Sequence, residues 1–169
     1  WENSRRVRDA SEEPDITVHS IEPAAAGRFI RLNVIRPSYI NDPAARIYEF
    51  EVYGDGPVNL ALHRPATSST PCSAGEGPEK AFNGSIKGGT TDRWCSRSAR
   101  RFLQVDLGRE IQVKRVIVKH ASAGGEREEF NTALFNVQAS KDNRSCVTVV
   151  NGTGSRLVEE ITPRRRICY

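Results

Sequence analysis

The chain has 169 residues and carries 25 Lys or Arg against 21 Asp or Glu, a formal net charge of +4. This length allows one hydrophobic core, or one domain with an appendage. No apolar run is long enough to span a bilayer, which argues against a membrane-spanning helix. The basic clusters at residues 5–8 and 164–166 are short, lie beside acidic residues and lack interleaved aromatics. We therefore interpret them as solvated surface and expect no nucleic-acid partner.

Short β-branched stretches separated by turn residues favour strands over helices along the chain. The first two strands are predicted over residues 28–34 and 47–53, and the residues after them, Gly54-Asp55-Gly56-Pro57, predict a turn. Later stretches alternate apolar and polar residues, which indicates strands with one buried and one solvent-facing side. These later strands are predicted over residues 103–107, 113–118, 135–139 and 146–150.

The order of these elements is unusual, because a closing strand precedes the turn and an opening segment begins at Asn59. Residues 21–29 also align without gaps on residues 161–169, and both copies begin Ile-x-Pro and end on an aromatic residue. Two similar segments separated by about one domain length indicate a repeated domain. The chain would then hold the C-terminal part of one copy followed by the N-terminal part of the next. Because residues 17–29 and 157–169 would need the same place, we expect one copy to be displaced.

We therefore divide the chain into two segments and a linker. Residues 1–54 supply the C-terminal strands of one unit, residues 55–58 form the linker, and residues 59–169 supply its N-terminal and central strands. We expect the two segments to fold together as one sandwich, because a sheet without its closing strands leaves an open edge and an apolar face. A monomer is favoured, and the alternative is a strand-swapped dimer in which residues 1–54 complete a neighbour.

Several motifs support a family resemblance. They are Asn59-Leu60-Ala61 and the stretches at residues 78–84, 92–96, 102–108, 119–126, 29–34 and 45–54. In this set the chain resembles the coagulation factor 5/8 type C family, also called discoidin-like, and within it the bacterial carbohydrate-binding modules. The motifs follow the family's order if the two segments are exchanged, as in a circular permutation. The resemblance implies an all-β fold, an antiparallel jelly-roll β-sandwich of galactose-binding-like type, with loops at one end forming the ligand face.

The function that the resemblance implies is that of a non-catalytic, secreted carbohydrate-binding module. It would recognise terminal, galactose-like sugars on a glycan and target a parent glycoside hydrolase or a surface protein to them. The alternative is an adhesion or interaction domain that binds protein or anionic lipid. The loops of this chain that would contact a membrane are rich in Gly, Ser and Glu, which counts against insertion into a membrane.

No catalytic constellation is visible in the sequence, and we expect no enzyme. The three histidines are scattered, and no nucleophile elbow, phosphate loop or zinc-protease motif occurs. Glu126, Glu128 and Glu129 are close together, but glycoside hydrolysis needs two carboxylates across a cleft. Three acids beside glycines are more typical of a solvated turn.

The resemblance places the ligand-binding residues in the loop that follows residue 119. His120, Glu126 and Asn131 are the candidates, with the imidazole contacting a sugar hydroxyl. Two alternatives stay open: His120 could make a structural hydrogen bond at a strand end, and Asn131 could form a local turn. Trp94 is expected in the core and not on the ligand face.

A structural calcium ion is also implied by the resemblance, since hard Ca²⁺ takes six or more oxygen ligands. Asn83, Ser85 and Asp92 match the family's calcium loop, and Glu49 matches the acid from the last strand. Asn83 stands where many members carry Asp, which lowers the negative charge of the site and weakens the ion. The alternative is an ordinary long turn.

The four cysteines do not have the paired spacing of a zinc site, and they fit disulfides in an exported protein. Cys72 and Cys95 are the preferred pair, because each lies in a stretch rich in turn residues. The sequence leaves open whether Cys146 and Cys168 pair with each other or stay reduced.

Overall fold

The computed structural model describes residues 15–154 and 165–168. These residues contain nine strands and four short 3-10 helices, and no α-helix is present among them. The strands are β1 (Ile16–Arg36), β2 (Ala45–Ile47), β3 (Glu49–Tyr53), β4 (Ala66–Ser68), β5 (Trp94–Ser96), β6 (Arg101–Lys119), β7 (Leu134–Ser140), β8 (Ser145–Gly152) and β9 (Arg165–Ile167). The 3-10 helices cover Pro78–Phe82, Gly89–Asp92, Ala121–Gly124 and Glu128–Phe130. Among the described residues, no helix has the length and apolar character needed to cross a membrane.

All strand pairs are antiparallel. The main sheet has the order β3-β6-β1-β7-β8-β9, β4 also pairs with β6, and β2 and β5 form a separate two-stranded sheet. This architecture confirms the prediction of an all-β, antiparallel sandwich.

The two long strands β1 and β6 run beside each other and change register twice, between Ser20 and Ala25 and between Gly27 and Phe29. Register shifts of this kind bend and twist a strand. The first half of β1 then pairs with the end of β6, and β3 lies on the other side of that stretch. The second half of β1 pairs with the start of β6 and with β7.

The core is formed by apolar side chains of these strands and follows the predicted alternation of apolar and polar residues. Ile30, Leu32 and Val34 of β1 are buried, and the intervening Arg31 and Asn33 are only half-buried. The apolar side of β3, β6 and β7 is buried through Phe50, Val52, Leu103, Val105, Leu107, Phe135 and Val137. In β3 the other side is buried as well, through Glu49 and Glu51. Trp94 is also fully buried, as expected. Burial of this apolar set is the main stabilising contribution to the fold.

Strands from both sides of the turn at residues 54–58 share one sheet, because β1 and β3 both pair with β6. The turn is closed by Asn59, whose side-chain oxygen accepts hydrogen bonds from Val52 N and Ala61 N, both at 3.1 Å. The backbone of Leu60 also donates to Val52 O at 2.8 Å. This closure brings the end of β3 next to the start of the following segment. Circular permutation itself stays a hypothesis about the relation to the family.

The expected competition between residues 17–29 and 157–169 falls partly on residues 157–164 and 169, which lie outside the described residues. The part that is described, β9, pairs with β8 at Ser145, Cys146 and Val147. Residues 17–29 instead pair with β6, and Phe29 also with β7. The described residues of the two copies therefore occupy different places in the sheet.

The predicted disulfide between Cys72 and Cys95 is confirmed, with the two Cα atoms 5.3 Å apart. The backbone of Cys72 also donates to Cys95 O at 2.8 Å. The bond joins the loop after β4 to β5. Glu76 lies close to the two sulfur atoms, but the sulfurs are bonded to each other and the carboxylate binds Arg93. This group is therefore not a metal site.

Candidate functional site

Three loops meet on one surface of the sandwich. They are residues 37–44 between β1 and β2, residues 97–100 between β5 and β6, and residues 120–133 between β6 and β7. Tyr39 N donates to Glu129 O at 2.9 Å, which joins the first loop to the third. Arg101, directly after the second loop, donates from Nε to Pro43 O at 2.7 Å. We call this surface the loop face.

Glu126 is the centre of a charged cluster at the loop face, and its side chain is 17% exposed. Its Oε1 accepts hydrogen bonds from the Tyr48 hydroxyl at 2.9 Å and from Arg93 Nη1. Arg46 Nε lies 3.3 Å from the other oxygen, as an ion pair without hydrogen-bond geometry. Burial and then the hydrogen bond to Glu126 raise the pKa of Tyr48 to about 12, so the tyrosine is a neutral donor at physiological pH.

Arg93 links Glu126 to the disulfide loop. Its Nη2 and Nε donate to Glu76 Oε1 at 2.7 and 3.0 Å, while Nη1 donates to Glu126. Burial lowers the pKa of Arg93, but the hydrogen bonds to Glu126 and Glu76 outweigh it and raise the pKa above its ordinary value. The guanidinium is therefore permanently charged and held in a fixed plane, since Cys95 anchors the adjacent backbone through its disulfide.

Arg46 connects the charged cluster to the aromatic ring of Phe130. Its guanidinium carbon lies 4.3 Å from the centre of the Phe130 ring, and Arg127 lies 5.6 Å from the same centre. Arg46 Nη2 also pairs with Asp42 at 3.1 Å. Cation–π contacts of this kind fix the ring. We refer to Arg46, Tyr48, Glu76, Arg93 and Glu126 as the Glu126 cluster.

Of the three residues predicted to bind ligand, only Glu126 reaches the loop face. His120 is 0% exposed, and its Nε2 lies 3.0 Å from Thr17 Oγ1. Asn131 is buried, and it accepts from Ser122 N and donates to Ser122 Oγ, both at 2.8 Å. For His120 the geometry matches the alternative of a structural hydrogen bond at a strand end. Asn131 closes the loop across its base. A direct role of either residue in ligand binding stays a prediction.

Sequence reasoning missed Arg46, Tyr48, Glu76 and Arg93. They come from three separated places in the chain, and single arginines and acids carry no periodic signal. The one local hint is Arg93, which directly precedes Trp94 and Cys95. A residue fixed between a 3-10 helix and a disulfide is well placed to present a rigid side chain.

The four residues predicted to hold calcium are joined by hydrogen bonds around one turn. Asp92 accepts from Ser85 Oγ at 2.5 Å and from Asn83 Nδ2 at 3.1 Å, and Asn83 Oδ1 accepts from Ser85 N at 2.8 Å. Glu49, from β3, accepts from Gly84 N at 2.8 Å through Oε1. The fold thus brings an acid of the first segment beneath a loop of the second.

The donor set fits a hard cation. Glu49 is 1% exposed, and its Oε2 is buried without a hydrogen-bond partner among the described residues. Burial, followed by the charge of Glu51, raises the pKa of Glu49 to about 7. A buried carboxylate oxygen without a partner is costly unless a proton or a cation satisfies it. Glu49, Asn83, Ser85 and Asp92 would hold Ca²⁺, which would neutralise the buried acid and tie β3 to the loop.

We expect calcium to raise the melting temperature and a chelator to lower it, because an ion that binds only the folded state stabilises it by mass action. At a free ion concentration 100 times the dissociation constant the gain is about 2.7 kcal/mol. Glu49→Gln should abolish the response, whereas Glu110→Gln, an exposed acid on β6, should retain it. Differential scanning calorimetry measures the shift. An unchanged melting curve, with no metal by elemental analysis, would favour the ordinary turn.

The same carboxylate predicts a pH dependence for the calcium-free protein. The folded-state pKa of Glu49, about 7, lies above its ordinary value of 4.5. The folded state therefore binds the proton more tightly, and the contribution of Glu49 to the free energy of unfolding falls as pH rises from 4.5 to 7. Saturating calcium should reverse this trend, since the ion needs the ionised carboxylate.

Comparison with known proteins places part of the chain in a family. The family model described as F5/8 type C domain matches residues 65–164, more than half of the chain. The matched range contains the disulfide, the loop at residues 83–92 and the loop at residues 120–133. Comparison with curated proteins gives no match, and comparison with solved structures gives none.

Proposed function

Because the chain belongs to the F5/8 type C domain family, we propose that it is a carbohydrate-binding module that recognises terminal, galactose-like sugars at its loop face. Domains of this family are commonly carbohydrate- or lipid-binding modules, are generally non-catalytic and are usually extracellular. The proposed module is a secreted monomer that targets a parent glycoside hydrolase or a surface protein to glycans. Tandem copies would raise its avidity.

The observation that carries this proposal is the ion pair between Glu126 and Arg93 at the loop face. A carboxylate and a planar guanidinium held side by side offer acceptors and donors in the spacing of neighbouring sugar hydroxyls. The half-buried ring of Phe130 supplies an apolar surface for the C–H face of the sugar. Tyr48 and Glu76 hold the pair in place, so little conformational entropy is lost on binding.

In the proposed site some residues contact the sugar and others hold the loop in place. Glu126 and Arg93 are the proposed contacts with sugar hydroxyls. His120 and Asn131 act beneath them, because their side chains anchor the two ends of the loop to Thr17 and Ser122. Calcium, held by the loop at residues 83–92, would contribute to stability and not to sugar recognition.

A glycan array followed by calorimetric titration tests this function. We expect Glu126→Gln to weaken binding of the best galactoside by roughly 10- to 100-fold, as for loss of a hydrogen bond to a charged group. Glu128→Gln is the matched control, since Glu128 is an exposed acid in the same loop. Binding by Glu126→Gln at the wild-type level, or an array on which the wild-type protein retains no glycan, would contradict the proposal.

Anionic lipid is the second candidate ligand, because the loop at residues 37–44 exposes apolar side chains. Tyr39 and Ile40 are 39% and 42% exposed. Ile35 and Leu134, at the neighbouring strand ends, are exposed as well, and Arg36 adds positive charge. An apolar surface beside basic residues is typical of a site that docks on anionic membranes.

Vesicle sedimentation separates the two candidates. If lipid is the ligand, the protein sediments with phosphatidylserine vesicles but not with phosphatidylcholine vesicles, and Ile40→Ser reduces the bound fraction. Val58→Ser is the control, since Val58 is exposed in the turn far from these loops in sequence. Sedimentation that is unaffected by Ile40→Ser, or absent with both vesicles, excludes this surface as a lipid site.

A further inference from the structure

Cys146 and Cys168 lie beside each other at the outer edge of the main sheet. Cys146 of β8 is opposite Arg166 of β9 in the strand register. Cys168 continues the same ladder, since its backbone N donates to Arg144 O at 3.2 Å. Positions two residues apart along a ladder share a face, so Cys168, two positions beyond the one opposite Cys146, falls on the same face of the sheet as Cys146. The side chains of the two cysteines are hydrogen-bonded to each other.

We propose that Cys146 and Cys168 form a second disulfide, which fastens β9 to β8. Three observations carry this inference. The two sulfur atoms already interact in the folded chain. The chain folds with another disulfide, between Cys72 and Cys95, which is the state of proteins in oxidising compartments. Finally, Cys168 follows the last residue of β9, so the backbone there can shift slightly to close the bond.

The disulfide would hold β9 on β8 more firmly than the backbone hydrogen bonds do alone. β9 has three residues and, among the described residues, pairs with one strand, β8. Without it, β8 would present an unpaired edge, which invites pairing with another chain. The sequence separation of Cys146 and Cys168 is close to the 23 residues that separate Cys72 and Cys95. The second bond should therefore constrain the unfolded chain about as much as the first.

The chemistry requires an oxidant, and we assign this role to a disulfide of the glutathione or protein-disulfide class. Cys168 is half-buried and Cys146 is buried, so the Cys168 thiolate attacks the oxidant first. This step forms a mixed disulfide and releases one thiol. Cys146 then loses its proton and attacks the Cys168 sulfur, which forms the protein disulfide and releases the second thiol. The oxidant gains the two electrons that the two cysteines lose.

The second step is expected to be slow at neutral pH. Burial and then the hydrogen bond that the Cys146 thiol donates to Cys168 in the reduced chain raise the pKa of Cys146 to about 12, and only the thiolate attacks. The rate of closure should rise with pH through the neutral range for this reason.

Alkylation in denaturant tests the proposal on the whole chain. The protein is folded in a glutathione redox buffer, freed of small thiols, unfolded without reductant and treated with iodoacetamide. We expect no alkylated cysteine and a mass about 4 Da below that of the fully reduced chain, as two disulfides require. Peptide mapping should recover a cross-linked pair that contains residues 146 and 168. Two alkylated cysteines per chain, or a cross-link from Cys146 or Cys168 to Cys72 or Cys95, would overturn the assignment.

Hydrogen exchange tests the consequence for β9 without relying on a variant alone. Amide exchange at residues 145–147 should be faster in Cys168→Ser than in the oxidised wild type. The reduced wild type, with Cys72–Cys95 shown intact by mapping, should match the variant. Equal protection of these amides in all three samples would mean that no bond fastens β9, and would overturn the proposed role.

Discussion

The free energy of unfolding is expected to fall steeply as the pH drops below 6.5, because His19 and His120 are both held in the neutral form. Burial lowers the pKa of His19 from 6.5 to about 4. Burial, followed by the charge of His19, lowers the pKa of His120 from 6.5 to about 3. The unfolded chain therefore binds more protons than the folded chain between these values and 6.5. Stability is lost as the pH falls through this window.

The two imidazoles share one environment, which explains why neither accepts a charge. Both pack on Phe135, with ring centres 5.3 Å away for His19 and 5.9 Å away for His120. His19 Nε2 and His120 Nδ1 are buried without hydrogen-bond partners among the described residues. At 1.36 kcal/mol for each pKa unit, the full shifts correspond to roughly 3 kcal/mol for His19 and roughly 5 kcal/mol for His120. Glu49 opposes this trend between pH 4.5 and 7, but one carboxylate offsets only one of the two histidines.

Urea unfolding at a series of pH values from 4 to 7.5 measures the effect, with a chelator present. We expect His19→Leu to remove most of the loss of stability between pH 6.5 and 4, because Glu49 then offsets the remaining contribution of His120. His63→Asn is the control, since His63 is exposed and has a positive φ of 57° that Asn tolerates. The explanation is wrong if His19→Leu and the wild type lose the same stability over this range.

Gly124→Ala is expected to be the most damaging methyl addition in the loop at residues 120–133. A Cβ atom at this position would lie 1.9 Å from Cε1 and 2.1 Å from Cζ of Tyr48. Tyr48 is fully buried and donates to Glu126, so the ring cannot move without breaking that hydrogen bond. Overpacking of this kind costs about 1–3 kcal/mol. If Glu126 contacts the sugar, the displaced loop should also weaken glycan binding.

Gly75→Ala is the matched control, because a Cβ at residue 75 meets no atom within 4 Å. Urea unfolding should show Gly124→Ala destabilised and Gly75→Ala close to the wild type. In a Tyr48→Ala background the added methyl group has room, so Gly124→Ala should cost little more there. Equal costs in the two backgrounds would mean that the Tyr48 ring is not the obstacle.

The loop at residues 83–92 and the Glu126 cluster differ in how far the sequence could predict them. Asn83, Ser85 and Asp92 lie within ten residues of one another, so a local motif could identify them, and only their pairing with Glu49 depends on the sheet. Arg46, Arg93 and Glu126 belong to three separate segments. No spacing rule relates them, because their approach depends on how β2, β5 and the loop after β6 are placed.

The sequence by itself determined the all-β class, the buried side of each main strand and the Cys72–Cys95 pair. These features depend on alternation, turn residues and oxidation chemistry, which act between near neighbours or through residue type alone. The tertiary structure decided that His120 is enclosed by Thr17 and Phe135, and that Glu126 is the acid at the loop face. The physical reason is that burial and charge pairing arise from the summed contacts of distant segments. In this protein those contacts form only when β1 and β3 lie on either side of β6.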